Sequence, residues 1–403
     1  MSNSHPGSAP RCAGLCSRCP RAGDCPTRRA SSVSPVLLAG GAPTGSARGR
    51  DGAGFAADVG STTLALAIYD LRTGALLSAK GCANPQTAVS ADVVGRISAA
   101  STPGALAHLG GIVADALGSL LDEACAEAGV PLSSVSDGVV AGNTVMLHLL
   151  TGRDPAPLGH VPFRAEWLAG CEATLLGRPV WLPPCIGAFV GADHVCALVA
   201  ARMSPDGPPA LLCDLGTNAE VALRANGALF ATSTAAGPAF EGTGVRGSDL
   251  LDAIARFCAD GTVDETGASD ESRLVLGDGR RLSNADVRAV QVAKAAVAAG
   301  ISVMLDEAGV SSGDLSEIFL AGGFGCGLDP RSASAIGMLP DAPAARKTPI
   351  GNAALAGAAE LLLFPGARDY ALGLARGARL VELGGNADFS DRFIDAMTFA
   401  PWR

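Results

Sequence analysis

The feature that most constrains this chain is short and occurs twice. Phe55-Ala56-Ala57-Asp58-Val59-Gly60-Ser61-Thr62-Thr63 leads into the apolar run Leu64-Ala65-Leu66-Ala67-Ile68-Tyr69. Ala210-Leu211-Leu212-Cys213-Asp214-Leu215-Gly216-Thr217-Asn218-Ala219-Glu220 repeats the plan. Each copy reads as an apolar strand ending in a carboxylate, then a glycine corner, hydroxyl or amide side chains, and a returning strand. One such turn is ordinary hairpin chemistry. Two copies imply two equivalent lobes whose turns face each other across a cleft, with Asp58 and Asp214 close together. Carboxylates beside a polyphosphate repel unless a divalent cation lies between them, and hydrated Mg²⁺ is the ordinary solution. Gly60, Ser61, Thr62 and Thr63 in one turn, and Gly216, Thr217 and Asn218 in the other, supply donors for phosphate oxygens.

A chain of 403 residues has room for two such lobes and a small addition. With aromatics at 4%, Ala, Leu and Val must fill the core, which favours close backbone contacts. The net charge of −9 argues against a nucleic-acid surface. No apolar run approaches the length of a membrane span; the best candidate, Ala353 to Phe364, is short and holds Glu360. Arg28-Arg29 before Val36-Leu37-Leu38 is too weak for an export signal, so a cytoplasmic location is expected.

The order along the chain gives a Cys-rich segment (1–30), a Gly/Ala/Ser/Pro linker (31–54), a first lobe (55–205) and a second lobe (206–403). Cys12, Cys16, Cys19 and Cys25, interleaved with Gly and Pro, have too few apolar neighbours for a core but enough thiolates for one metal centre. An iron–sulfur cluster is the first reading, 4Fe–4S ahead of 2Fe–2S, and four-thiolate zinc is the second. The other eight cysteines contain no CxxC and read as small core residues; Cys213 and Cys326 are expected near the cleft.

Within the first lobe a helix is expected from Leu106 to Ala128, stopped by Gly129, and a buried strand from Val135 to Ala141. Asn84, Gln86, Asp92 and Arg96 read as loop and helix-cap chemistry, and His148 as a core histidine. Residues 151–184, rich in proline, read as irregular, and a helix is expected from Ile186 to about Met203. In the second lobe, Thr232 to Gly242 is a small-residue loop, with Gly237 and Gly242 allowing close backbone approach to a ligand. Asp286 to Lys294 is helical and sets Gln291 and Lys294 on one face. Ile318-Phe319-Leu320-Ala321-Gly322-Gly323-Phe324-Gly325 is a buried strand ending in a turn suited to a base or ribose.

In this order, the two hairpins and these elements resemble the actin, sugar-kinase and Hsp70 nucleotide-binding superfamily. The resemblance implies an α/β fold: a duplicated, two-lobed, actin/Hsp70-like (ribonuclease H-like) ATPase with a short Cys-rich metal-binding segment ahead of it. It also implies that Gln291 and Lys294 contact adenine and ribose, and that Leu320-Ala321-Gly322-Gly323 is the adenosine motif, with Gly322, Gly323 and Phe324 binding the cofactor.

Asn84-Pro85-Gln86, Ala91 to Ile97, Gly142-Asn143-Thr144, Ala235 to Gly242, Gly322 to Gly325 and Ile350 to Ala354 are similar to the reductive activators of corrinoid proteins, a likeness covering about 55–403. That resemblance implies ATP-dependent reduction of Co(II) to Co(I) on a corrinoid protein or corrinoid-dependent methyltransferase. Electrons would come from an upstream donor through an iron–sulfur centre; a homodimer is left open. The better-known members carry a plant-type ferredoxin-like domain, where this chain has the compact Cys12–Cys25 segment. Asp58 and Asp214 would then organise Mg²⁺ and the attacking water, with Glu220 or Glu241 orienting one of them.

Two other readings share the fold. A small-molecule kinase needs an acceptor base, for which Asp193 and Asp249 are the candidates. A nucleotide-gated binding protein needs no chemistry, and its cysteines would hold structural zinc.

Overall fold

In the computed structural model, residues 50–402 are described apart from 217, 238–246, 271, 273 and 365. Cys12, Cys16, Cys19, Cys25, most of the linker, Thr217, Glu241 and Gly242 therefore lie outside the described residues, as does the Cys326 side chain.

Two six-stranded sheets repeat one plan. The first takes β1 (Ala53–Val59), β2 (Thr63–Asp70), β3 (Leu76–Ala83), β4 (Val135–Gly142), β5 (Ala169–Leu175) and β6 (Arg178–Pro184) in the order β3-β2-β1-β4-β6-β5. The second takes β7 (Ala210–Leu215), β8 (Ala219–Ala225), β9 (Ala228–Thr234), β10 (Glu317–Ala321), β11 (Arg346–Gly351) and β12 (Arg379–Leu380) in the order β11-β10-β7-β8-β9-β12. The antiparallel meander β1-β2-β3 matches β7-β8-β9, and β4 and β10 lie parallel to β1 and β7. The duplication expected from the hairpins covers five strands of each sheet, with β6 beside β4 as β11 is beside β10; the sixth strands differ, β5 adding to β6 and β12 to β9.

Around the strands are α1 (Val93–Ala100), α2 (Ala105–Ala128), α3 (Thr144–Leu150), α4 (Ala192–Ala200), α5 (Gly247–Ala259), α6 (Asn284–Ala308), α7 (Gly322–Gly327), α8 (Pro330–Ala335), α9 (Ala353–Leu363), α10 (Ala367–Gly377) and α11 (Ala387–Asp395). Leu109, Val113, Leu117, Leu120 and Leu121 give α2 a buried stripe, and Gly129 in the left-handed region ends it. Ser283 and Asp286 form a capping box that starts α6.

Strand alternation assigns each face. On β1 and β2, Phe55, Leu64, Leu66 and Ile68 face the first lobe's own core with α2, whereas Ala56, Ala65 and Ala67 face the other way. On β7 and β8, Leu211, Leu215, Val221 and Leu223 face the second lobe's core, and Ala210, Leu212 and Ala222 face away. These small faces share one central core with α4 and α9, so those two helices cross between the lobes. The alanine-rich composition is used there: a Cβ on Gly357 would lie 1.9 Å from the Cys196 carbonyl oxygen.

Three local expectations are corrected. Residues 169–184 form the β5–β6 hairpin; its proline-rich strand β6 pairs antiparallel with β5, and Leu176 and Gly177 take positive φ at the turn. The helix expected from Ile186 begins at Ala192, after a bend closed by hydrogen bonds from Ile186 and Gly187 N–H to Val190 O. By length and composition α2 and α6 could each cross a membrane, although no such run was expected; α6 is mostly buried and α2 lays one face on the first lobe's core. His148 is a core residue as expected, its Nδ1 2.8 Å from Thr144 O.

Candidate active site at the paired hairpins

The two hairpins end in different turns. Val59 pairs with Leu64 around Gly60–Thr63, closed by Gly60 N–H to Thr63 O at 3.0 Å. Leu215 pairs with Ala219 around the shorter second turn, closed by Gly216 N–H to Asn218 O at 3.0 Å. The strands also differ in charge. Asp58 sits opposite Ala65, whereas Asp214 sits directly opposite Glu220. Two carboxylates in that cross-strand position destabilise a sheet unless something between them carries positive charge.

A fourth carboxylate and an amide join from the lobe boundary. Asp193, in the first turn of α4, interacts electrostatically with Asp58, Asp214 and Glu220. Asn352, the N-cap of α9, accepts from Leu355 N–H at 2.8 Å and donates through Nδ2 to Asp58 Oδ2 at 2.9 Å. The two crossing helices thus begin at this carboxylate group, one contributing an acid and the other a donor that orients Asp58.

Desolvation governs the electrostatics, with carboxylate repulsion added. Burial pushes Asp58 up to about 6, opposed by the Asn352 amide, and pushes Asp214 up to about 7 with a further push from Asp58. Asp193 is raised by burial and then by Asp58, and Glu220 by burial and then by Asp193 and Asp214. All four keep partial solvent access, and among the described residues none forms an ion pair with Lys, Arg or His. Among the described residues no three acids are placed to ligate one metal ion directly, so oxygen-only donors, excess negative charge and access for water fit a divalent cation of the Mg²⁺ type held through its own waters.

The glycine turn of the second lobe closes on this group. Gly322 has φ +83°, and a Cβ there would lie 2.6 Å from both Asp214 Oδ1 and Leu215 O, so only glycine fits. Gly323 faces open space, and Gly237, at φ +75°, also has no atom near its Cβ position. Phe324 is buried in the second lobe's core.

Gln291 and Lys294, expected to contact adenine and ribose, have donors bonded within the protein. Both are buried: Gln291 Nε2 donates to Thr266 O and Met397 O at 2.9 and 2.8 Å, and Lys294 Nζ donates to Thr398 O and lies over the Phe399 ring. Their donors hold the C-terminal segment to α6. Beside Lys294 lies a cavity of about 640 Å³ that Gly337, Arg392 and Trp402 also line. Asp249, the other kinase-base candidate, is exposed on α5. Asp193 belongs with the central acids, although its sequence context suggested only an acceptor base, and Asn352 was visible only as part of a motif. Cys213 is buried core beside Asp214, as expected.

Comparisons with known proteins agree along the described chain. A family profile described as the RACo middle region matches residues 53–206. A second, described as the C-terminal domain of RACo, the ASKHA domain, matches 209–248 and 243–402. The corrinoid activation enzyme RamQ of Eubacterium limosum is 29% identical over 77% of this chain and 64% of its own length. A Co(II) methylated amine-specific corrinoid protein reductase of Methanosarcina barkeri is 23% identical over 53% of this chain and 48% of its own length. The chain thus spans less than two thirds of these curated relatives. A solved structure, a reductive activator for corrinoid, iron–sulfur protein, superposes with TM-score 0.79 at 27% identity, covering 88% of this chain and 67% of that one. The fold is the expected ASKHA type.

Proposed function

The chain belongs to the RACo family, and from that membership and its cleft we propose that it is an ATP-driven reductive activator that returns a Co(II) corrinoid to Co(I) on a partner protein. The observation that carries the reading is the meeting of Asp58, Asp193, Asp214 and Glu220 at the two corresponding hairpin turns, where two helices cross between the lobes. The names of its relatives support a corrinoid protein as the substrate class: one is a corrinoid activation enzyme, one a reductase specific for a methylated-amine corrinoid protein, and one a reductive activator for a corrinoid, iron–sulfur protein.

In this reading Ser61, Thr62 and Asn218 hold phosphate oxygens of ATP. Asp58 and Asp214 hold the hydrated Mg²⁺, which neutralises charge on the phosphates when bound. Asn352 fixes the rotamer of Asp58. Asp193, in its ionised form, orients the attacking water and takes its proton; Glu220 supports it from β8. Cleavage of the γ-phosphoryl bond changes what bridges the two turns, and the α4–α9 crossing carries that change as a motion of one lobe against the other. Reducing Co(II) is uphill for ordinary donors, and lobe motion supplies the drive. Cys12, Cys16, Cys19 and Cys25 are the thiols proposed to hold the electron-transferring cluster.

Mg²⁺-dependent ATP hydrolysis tests the clamp. Asp58→Ala and Asp214→Ala each abolish it while the circular dichroism spectrum stays that of the wild type. Full hydrolysis in either variant removes the clamp from the account.

A further inference from the structure

Behind the first phosphate turn lies a buried cation with no task in the mechanism above. Arg96, on α1, is fully buried, and among the described residues no carboxylate forms an ion pair with it. Its Nη2 donates to Ser61 O at 2.6 Å, its Nε to Ser90 O at 3.1 Å, and its Nη1 to Gln86 Oε1 at 3.2 Å. Asn84 completes the arrangement: Nδ2 donates to Gly60 O at 2.8 Å and the backbone N–H to Thr62 O at 2.8 Å. Asn143 Nδ2 donates to Ser61 Oγ at 2.9 Å.

The carbonyls of Gly60, Ser61 and Thr62 are therefore all bonded on the protein side. A trans peptide sets its C=O and N–H in opposite directions. Drawing the Gly60 and Ser61 carbonyls inward turns the N–H groups of Ser61 and Thr62 toward the partly exposed side of the turn. A run of such N–H groups is an anion-binding concavity. Asp92, the N-cap of α1, acts on Arg96 electrostatically without forming an ion pair with it, and a neutral amide would hold one carbonyl at less desolvation cost than such a guanidinium. The positive charge has a use when an anion lies on the far side of the turn.

We propose that Arg96 is a positioning residue for nucleotide: it sets the polarity of the first phosphate turn and supplies the counter-charge behind it. The role rests on the Mg-ATP reading of the cleft. It requires phosphate in the ligand and is indifferent to the nucleoside.

The test compares wild type, Arg96→Gln and Arg96→Lys for the dissociation constants of Mg-ATP and of adenosine, and for KM and kcat of ATP hydrolysis, with thermal unfolding as the check on folding. Arg96→Gln weakens Mg-ATP by about tenfold or more, the scale of losing hydrogen bonds to a charged group. Adenosine binding stays within about twofold, because this turn's donors address phosphate alone. KM rises more than kcat falls. Arg96→Lys keeps the charge without the forked geometry and falls between the two. A folded Arg96→Gln protein with wild-type Mg-ATP affinity, or equal losses for ATP and adenosine, overturns the proposal. Should Arg96→Gln fail to fold, Arg96→Lys decides: Mg-ATP weakened with adenosine unchanged supports the role, and wild-type Mg-ATP affinity overturns it. A wild-type protein that binds no Mg-ATP removes the nucleotide reading as well, so the two failures are distinguishable.

Discussion

Gly357→Ala is the substitution for which the structure makes the sharpest demand. The Cβ would lie 1.9, 2.4 and 2.7 Å from the O, C and Cα atoms of Cys196, all of them backbone on the facing helix α4. An ordinary contact of about 3.5 Å requires the two helices to separate there by roughly 1.6 Å. Inserting a methyl group into a close-packed core costs about 1–3 kcal/mol, and the upper half of that range applies because no side chain can rotate away. Alanine's better helix propensity returns about 1 kcal/mol. A net loss of about 1–2 kcal/mol is the result, read as a lower urea midpoint with an unchanged slope. The same separation moves Asp193, at the start of α4, from Asp58, which Asn352 holds at the start of α9, so ATP hydrolysis falls with stability. A Gly357→Ala protein with the wild-type urea midpoint and wild-type hydrolysis refutes the tight crossing and its link to the site.

Three further outcomes follow from the same geometry. Because Asp58 and Asp214 are raised from 3.8 to about 6 and about 7, the folded metal-free protein binds more protons than the unfolded chain; their stabilising contribution is full below pH 4 and is lost as pH rises through 6–7. The rise in thermal midpoint on adding Mg²⁺ is accordingly larger at pH 8 than at pH 5, and an equal rise at both contradicts it. Asn352→Ala removes the cap of α9, worth about 1 kcal/mol in urea unfolding, and also the donor to Asp58, so the acid limb of the hydrolysis profile moves to higher pH; an unmoved limb refutes the coupling. Anaerobically purified protein contains iron and sulfide that Cys16→Ala loses, and zinc in their place contradicts the electron-transfer role.

Much of this was legible because it is local. A strand–Asp–Gly–hydroxyl–strand pattern is written in consecutive residues, so the duplication of the two sheets followed from Asp58 and Asp214 alone. Gly129 and the α2 stripe were equally plain. What was hidden depends on contacts far apart in the chain. Asp193 joins the acids only because α4 crosses α9, and a lone Asp after Gly191 carries no sign of that. Gln291 and Lys294 share a helix face as expected, but the segment from Met397 to Phe399 returns to that face and takes their donors. The β5–β6 hairpin was masked by Pro179, Pro183 and Pro184, which oppose strand propensity until a partner strand and the Leu176-Gly177 turn are in place. Arg96 read as helix chemistry because its acceptors, Ser61 O and Gln86 Oε1, are set by tertiary packing.

The proposed role of Mg-ATP held between Asp58 and Asp214 is to drive corrinoid reduction. Its most direct test is the Co(II) electron paramagnetic resonance signal of a corrinoid protein mixed anaerobically with this protein and a chemical reductant. The signal disappears with Mg-ATP, persists without nucleotide, and persists with Mg-ATP when Asp214→Ala replaces the wild type. Loss of the signal at the same rate without nucleotide, or with the Asp214→Ala protein, contradicts it.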